Sequence, residues 1–201
     1  MTIAMGEAAV SVPSDEDLLV AVRGGRVDSL GLLVARWEGP LYRFVSRLVD
    51  RPEDARDVCQ ETFLRVLKKS DAFRDGARFS TWMYQIALNL CRDRARRQKR
   101  WSHLVIAAPA DDDRPREFAA PDHAETHPER ALEREEARSA VQAALGRLPH
   151  DQREVLLLKE YEGLKFREIA DVLGIPESTV KSRMYAALDA MKVSLQAAGM
   201  R

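Results

Sequence analysis

Between residues 165 and 191 two helical patterns meet across a turn too short to let them separate, and this constrains the chain most. Phe166, Ile169, Ala170 and Leu173 recur at i, i+3, i+4 and i+7, the stripe of an amphipathic helix. Gly174 follows at once and can take the left-handed conformation that ends a helix. Ile175 can plug the turn, and Pro176, which has no N–H to leave unpaired, suits the start of a turn or helix. Glu177 and Ser178 are placed to cap a second helix, whose inward face is expected to be Val180, Met184, Ala187, Leu188 and Met191. Ala170 is small where two helices so joined must cross closely. Thr179, Lys181, Ser182, Arg183 and Tyr185 are left outside at the start of that helix, all hydrogen-bonding or cationic. A plain helical hairpin requires neither the Gly-Ile-Pro turn nor this polar cluster; a helix-turn-helix presented to the major groove of DNA uses both.

The remainder is helical too. Helices are expected near Asp15–Gly24, Ser29–Leu48, Pro52–Ser70, Ser80–Arg100, Pro128–Leu145, Asp151–Glu160, Lys165–Leu173 and Ser178–Ala197. No segment alternates with a strand period, so the fold class is all-α. The 45% of hydrophobic residues is enough for packed cores, and the 32% charged suits helices in water. No apolar run approaches the ~20 residues of a membrane span, and no signal peptide opens the chain, so no membrane insertion and a cytoplasmic location are expected. Cys59 and Cys91 form no metal-ligand or redox spacing, so neither a metal nor another cofactor is expected.

Net charge is zero, unusual for a DNA-binding chain, but its distribution is uneven. Residues 101–140 hold 5 Lys+Arg against 10 Asp+Glu, with Asp111–Asp113 in a row and prolines at 109, 115, 121 and 128. That composition predicts an extended acidic linker over 101–130 between two helical domains, 14–100 and 131–201. Residues 1–13 have little to bury and are expected to be a mobile tail. Just before the linker, Arg92–Arg100 carries six basic residues and one acid.

That basic run closes a helix whose start is crowded with Phe73, Phe79, Trp82 and Tyr84 and whose core face is Met83, Ile86, Ala87 and Leu90, with Ser80 as its cap. Rings interleaved with cations suit single-stranded nucleic acid, because bases stack on rings while Lys and Arg follow phosphates. Aromatics at helical spacing also build cores, and a basic helix end also complements the helix dipole. From spacing alone both readings stand.

The order of motifs then resembles a known family. Asp17-Leu18-Leu19, Leu41-Tyr42-Arg43-Phe44, Asp54-Ala55-Arg56-Asp57, Gln60-Glu61-Thr62-Phe63-Leu64, Phe79-Ser80-Thr81-Trp82, Ile86-Ala87-Leu88-Asn89 and Asp93 occur in the N-terminal half. Leu148-Pro149, Gln152-Arg153-Glu154-Val155, Glu162-Gly163-Leu164, Glu168-Ile169-Ala170 and Thr179-Val180-Lys181-Ser182-Arg183 follow in the C-terminal half. Together they resemble the extracytoplasmic-function sigma factors of bacterial RNA polymerase, in which regions 2 and 4 are two helical domains on one linker.

The resemblance implies an alternative sigma factor, with no catalytic residue, that binds core polymerase, selects promoters and helps to melt them. It places polymerase-clamp docking on Asp54, Asp57, Gln60 and Glu61, which by themselves would read as an ordinary solvated helix face. It places capture of a flipped minus-10 base on the loop Phe73–Phe79, with Arg74 and Arg78, and on Asn89. Trp82 lies where promoter opening starts, and core packing is an equal reading for it. Lys181, Ser182 and Tyr185 correspond to readers of the minus-35 element, and Thr179 and Arg183 to phosphate contacts. An anti-sigma factor is an implied partner. Three departures stand out: Arg56 where an acid is usual, Trp37 where Tyr is more frequent, and Ala186 and Leu188 where arginines commonly extend the recognition helix.

A stand-alone helix-turn-helix regulator would instead carry a self-complementary dimer face. An enzyme acting on nucleic acid finds no P-loop or metal cluster here, and His103, His123 and His127 are linker residues.

Overall fold

The computed structural model describes residues 12–74, 76–104 and 128–200, with residues 99, 101–104 and 128–133 as backbone alone. Residues 1–11 of the expected mobile tail (1–13) and residues 105–127 of the expected linker lie outside the described residues. The chain is all-α: α1 (Asp15–Arg23), α2 (Asp28–Ser46), α3 (Pro52–Lys68) and α4 (Phe79–Leu104) form one half, and α5 (Pro128–Arg147), α6 (His150–Glu160), α7 (Phe166–Leu173) and α8 (Glu177–Ala197) the other. A short 3-10 turn, Ser70–Ala72, leads out of α3.

Local chemistry sets these boundaries. Ser14 accepts a hydrogen bond from the Asp17 N–H at 3.1 Å while the Asp17 carboxylate accepts from the Ser14 N–H at 3.2 Å, a capping box that starts α1. Pro52 occupies the first turn of α3, where its missing N–H costs nothing. Gly174 ends α7 at φ 66°, ψ 36°, with its N–H on the Ala170 carbonyl at 2.8 Å.

Three boundaries differ from expectation. α4 begins at Phe79, so Ser80 lies in the first turn; the Phe79 N–H is instead capped by the Glu16 carboxylate of α1 at 2.8 Å. α8 begins at Glu177 with Pro176 as its cap residue, so Glu177 and Ser178 are helical and do not cap. α4 runs on to Leu104, so 101–104 of the expected linker are helical, while α5 starts at Pro128, where the helical pattern placed it.

The N-terminal core is built on Leu19, Leu33, Leu41, Phe44, Met83, Tyr84 and Leu88, each almost wholly buried. Tyr84 packs edge-on against Phe44 with ring centroids 4.9 Å apart and against Trp37 at 6.1 Å, geometries that favour aromatic quadrupoles. The C-terminal core joins Leu157 and Leu158 of α6, Ile169 of α7, and Val180, Met184 and Ala187 of α8. Leu188, expected on that inner face, is instead 44% exposed. It lies ~100° round the helix from Ala187, off the line 180, 184, 187, 191. Buried Arg153 donates to the Gly146 and Leu148 carbonyls at 2.6 and 3.1 Å, bracing the corner between α5 and α6. The two halves meet where α4 packs on α7.

Candidate nucleic-acid and polymerase interfaces

The helix-turn-helix is locked from below. Gly174 and Ile175 both donate to the Ala170 carbonyl, and Thr179 and Val180 both donate to that of Pro176. The turn therefore fixes the direction in which α8 leaves. Lys181, Ser182 and Tyr185 stand exposed on it, while Thr179 and Arg183 are half-buried. Neither cation is bare. Lys181 Nζ lies 2.6 Å from Glu177 Oε1, and that hydrogen bond raises its pKa above the ordinary lysine value. Its ammonium also sits 5.8 Å from the centre of the Phe166 ring. Arg183 Nε lies 3.1 Å from Asp151 Oδ2 of α6.

On the other half, the residues expected around a flipped base separate into two groups. Arg74, Arg78 and Asn89 are exposed and Trp82 is half-buried. Phe73 and Phe79 are core residues, 5% and 0% exposed, so in this arrangement neither offers a face on which a base could stack. Phe73 supports Trp82 from beneath with ring centroids 5.3 Å apart, and Phe79 packs against Trp37 at 6.2 Å. The loop is thus anchored at both ends by buried rings, leaving Arg74 and Arg78 outside.

The expected clamp surface is similarly divided. Asp57 and Gln60 are exposed, and Glu61 pairs with Arg65 one turn on, at 2.9 Å. Asp54 is 4% exposed and is held by Arg94 of α4 and, at 3.4 Å, by Arg51. It is a buttress between α3 and α4. Arg94 also reaches Asp57 at 3.2 Å. Alongside runs a groove of about 500 Å³ lined by Asp57, Gln60, Glu61, Leu64, Arg65 and Leu90. Leu64, 42% exposed, gives this polar groove an apolar contact that the sequence reading had not singled out. A leucine among polar residues on the outer face of α3 was the available signal.

Three cations at the basic end of α4 are paired from within: Arg92 with Glu154, Arg94 with Asp54 and Asp57, and Arg96 with Asp93. Glu154 is 1% exposed and receives both Arg92 Nε at 2.8 Å and His150 Nδ1 at 3.1 Å. Burial alone would raise its pKa, but the hydrogen bonds from His150 and Arg92 outweigh it and hold the carboxyl below the usual glutamate value. Glu162 shows the opposite balance, its pKa raised by burial, and it accepts a hydrogen bond from the Tyr84 hydroxyl. Among the described residues no cluster of His, Cys, Asp and Glu is arranged to hold a metal ion, and no helix is long and apolar enough to cross a membrane.

Residues 33–101 match sigma-70 region 2, and residues 138–191 match sigma-70 region 4. The RNA polymerase sigma-H factor of Pseudomonas aeruginosa is 34% identical over 190 residues, covering 90% of this chain and 94% of that protein. The ECF RNA polymerase sigma-E factor of Escherichia coli is 32% identical over 185 residues, covering 91% and 95%. Among solved structures, CnrH in complex with the cytosolic domain of CnrY matches with a TM-score of 0.66 at 25% identity, over 92% of this chain and 99% of that one. The sigma factor RpoE in complex with the anti-sigma factor NepR from Bartonella quintana shares the fold, with a TM-score of 0.63 at 22% identity over 83% and 96%. A helix-turn-helix half and a ring-anchored α4 half, matched together over nearly the whole length of such relatives, make this chain a member of the extracytoplasmic-function group of the sigma-70 family: an alternative sigma factor that binds core RNA polymerase, directs it to particular promoters and assists their melting.

Proposed function

We propose that promoter recognition is divided between the exposed residues of α8 and those at the start of α4. In α8, Lys181, Ser182 and Tyr185 read base edges of the minus-35 element in the major groove, while Thr179 and Arg183 contact phosphates. In the N-terminal half, Arg74, Arg78, Trp82 and Asn89 hold the melted minus-10 strand, and Asn89 hydrogen-bonds one extruded base. Phe73 and Phe79 serve that pocket as buried anchors. The polymerase clamp docks on Asp57, Gln60, Glu61 and Leu64, with Asp54 fixing Arg94 behind them. The promoter-binding units are Ser14–Leu104 and Pro128–Met200. The protein acts in the cytoplasm and catalyses no covalent step; bases lost from the duplex stack are compensated by contacts in the protein pocket. An anti-sigma factor is its regulator, as the anti-sigma factor NepR accompanies the sigma factor RpoE of Bartonella quintana.

The observation that carries this reading is the exposure of one polar cluster on each half, set on helices whose directions are fixed by buried contacts. In-vitro transcription with core polymerase tests it. Asn89→Ala is expected to leave polymerase binding intact while permanganate reactivity of the melted region falls. Unchanged footprints would remove Asn89 from the pocket.

A further inference from the structure

We propose that Glu177 is a specificity-determining residue of the minus-35 contact: the Glu177–Lys181 pair reads one G·C base pair as a unit, the ammonium donating to guanine O6 while the carboxylate accepts from the cytosine N4 amino group. This rests on the assignment of α8 to the major groove of that element. Glu177 stands exposed at the first position of α8, and Lys181 stands exposed one turn on. Among residues 177–185, which open the helix, Glu177 is the only acid, and every other polar side chain there can donate a hydrogen bond. It does not cap the helix, since Pro176 holds that position. As an exposed ion pair one turn long it adds little to stability. A carboxylate among donors at the end of the helix that enters the groove is instead placed to select.

The spacing of the pair matches the edge of one base pair. Lys181 Nζ lies 2.6 Å from Glu177 Oε1, and the same ammonium lies 5.8 Å from the centre of the half-buried Phe166 ring. A lysine restrained from two sides before binding loses less rotamer freedom on contact. In a G·C pair O6 and N4 are hydrogen-bonded to each other, so acceptor and amino donor sit about 3 Å apart on the major-groove edge. A donor and an acceptor 2.6 Å apart fit that edge without parting. The backbone advances about 6 Å from residue 177 to residue 181, nearly two base-pair steps. The two side-chain ends nevertheless converge on one point, and so on one base pair.

The carboxylate supplies the rejection. A reversed C·G pair brings its amino group to the ammonium and its guanine acceptors to the carboxylate, setting like against like. An adenine beneath Lys181 fails in the same way, because its N6 is a donor. A thymine there keeps the order of acceptor and donor but presents a methyl group where guanine offers N7. Without Glu177, the ammonium would take any acceptor within its reach, O6, O4 or N7. The neighbouring negative charge also weakens the pull of Lys181 towards phosphates, which reserves it for base edges.

The test is in-vitro transcription by the full chain with core polymerase, from promoters randomised over the minus-35 element. The wild-type chain should prefer G·C over C·G at one position by about tenfold. Glu177→Ala should erase that preference while preferences at the other positions persist. Lys181→Ala should act at the same position, and the double variant should change nothing further there, because the two side chains work as one reader. The exchange of Glu177→Lys with Lys181→Glu should turn the preference to C·G, which a merely structural ion pair, restored by the exchange, does not do. Should the exchange variant lose its helical circular dichroism, the two alanine variants decide. An unchanged profile in Glu177→Ala would overturn the proposal. So would effects of the two alanine variants at different positions, or a folded exchange variant that keeps the preference for G·C. Failure of the α8 assignment is read separately. If Ser182→Ala and Tyr185→Ala also leave the whole profile unchanged, that assignment falls and the inference with it; if they shift preferences while Glu177→Ala shifts none, the inference alone falls.

Discussion

Gly174 and Gly31 invite the same substitution and should respond with opposite signs. At Gly174 the backbone sits at φ 66°, and a Cβ built there meets nothing within 4 Å. Sterics with neighbours are therefore absent, and the cost of Gly174→Ala is the left-handed conformation itself, about 1–2 kcal/mol. Gly31, inside α2, is equally open, with nothing within 4 Å of its Cβ, but its backbone is helical. There Ala removes freedom from the unfolded chain without strain, and Gly31→Ala should stabilise by about 0.5–1 kcal/mol. For a chain of this size each kcal/mol corresponds to roughly 2–4 °C in Tm. Urea and thermal unfolding of the two variants, with Gly174→Asn recovering part of the loss because Asn tolerates that region better, measure the contrast. The Gly174 N–H also holds the Ala170 carbonyl at the turn that aims α8, so Gly174→Ala should depress promoters that depend on their minus-35 element more than those that do not. Equal signs at the two glycines, or a Gly174→Ala protein as stable as wild type, would refute the argument that conformation alone sets the effect.

Two further outcomes are expected. Over randomised minus-35 sequences, Lys181→Ala should cost roughly 1–3 kcal/mol and relax base preference, whereas Arg183→Ala should weaken all sequences alike; uniform, equal losses would end that division. Burial pushes the Cys59 and Cys91 thiols up to about 12, so neither should react with thiol reagents in the folded protein at neutral pH. The sign for stability follows: both thiols are neutral in either state below their unfolded value near 9, and above it only the unfolded chain ionises, so stability should fall with rising pH and the fall should flatten in the Cys59→Ala, Cys91→Ala double variant.

Every helix was legible in the sequence to within a few residues, because each rests on a local pattern: a stripe, a capping box, a Pro at the first turn, a Gly at the end. The burial of Phe79 was legible as well, had the stripe Met83, Ile86, Ala87 been run back one turn, since Phe79 stands four residues before Met83. Trp82 lies off that line and remains half-exposed. Asp54 was another matter. It reads as one of several acids on α3, and only the tertiary approach of Arg94, forty residues on, makes it a buried partner. The cap on α4 escaped for the same reason: Glu16 supplies it from a helix 63 residues earlier. Local chemistry is written locally, while ion pairs between helices depend on where the helices meet.

That distinction also accounts for the zero net charge. Lys181, Arg183, Arg78, Arg92 and Arg94, five cations on or beside the proposed nucleic-acid surfaces, each hold a carboxylate of their own chain. When such a cation meets a phosphate it exchanges one anion for another, and the gain is smaller than for a bare ammonium releasing only its own solvation. Non-specific affinity for duplex DNA grows with the number of phosphates newly neutralised, so a chain balanced in this way gains little from DNA in general. Discrimination then falls to the few positions where the exchange is geometrically good, on both halves at once. Simultaneous engagement is available once polymerase holds both halves on one promoter, when each raises the effective concentration of the other at its element. Internal charge balance thus defers specificity until the polymerase is present.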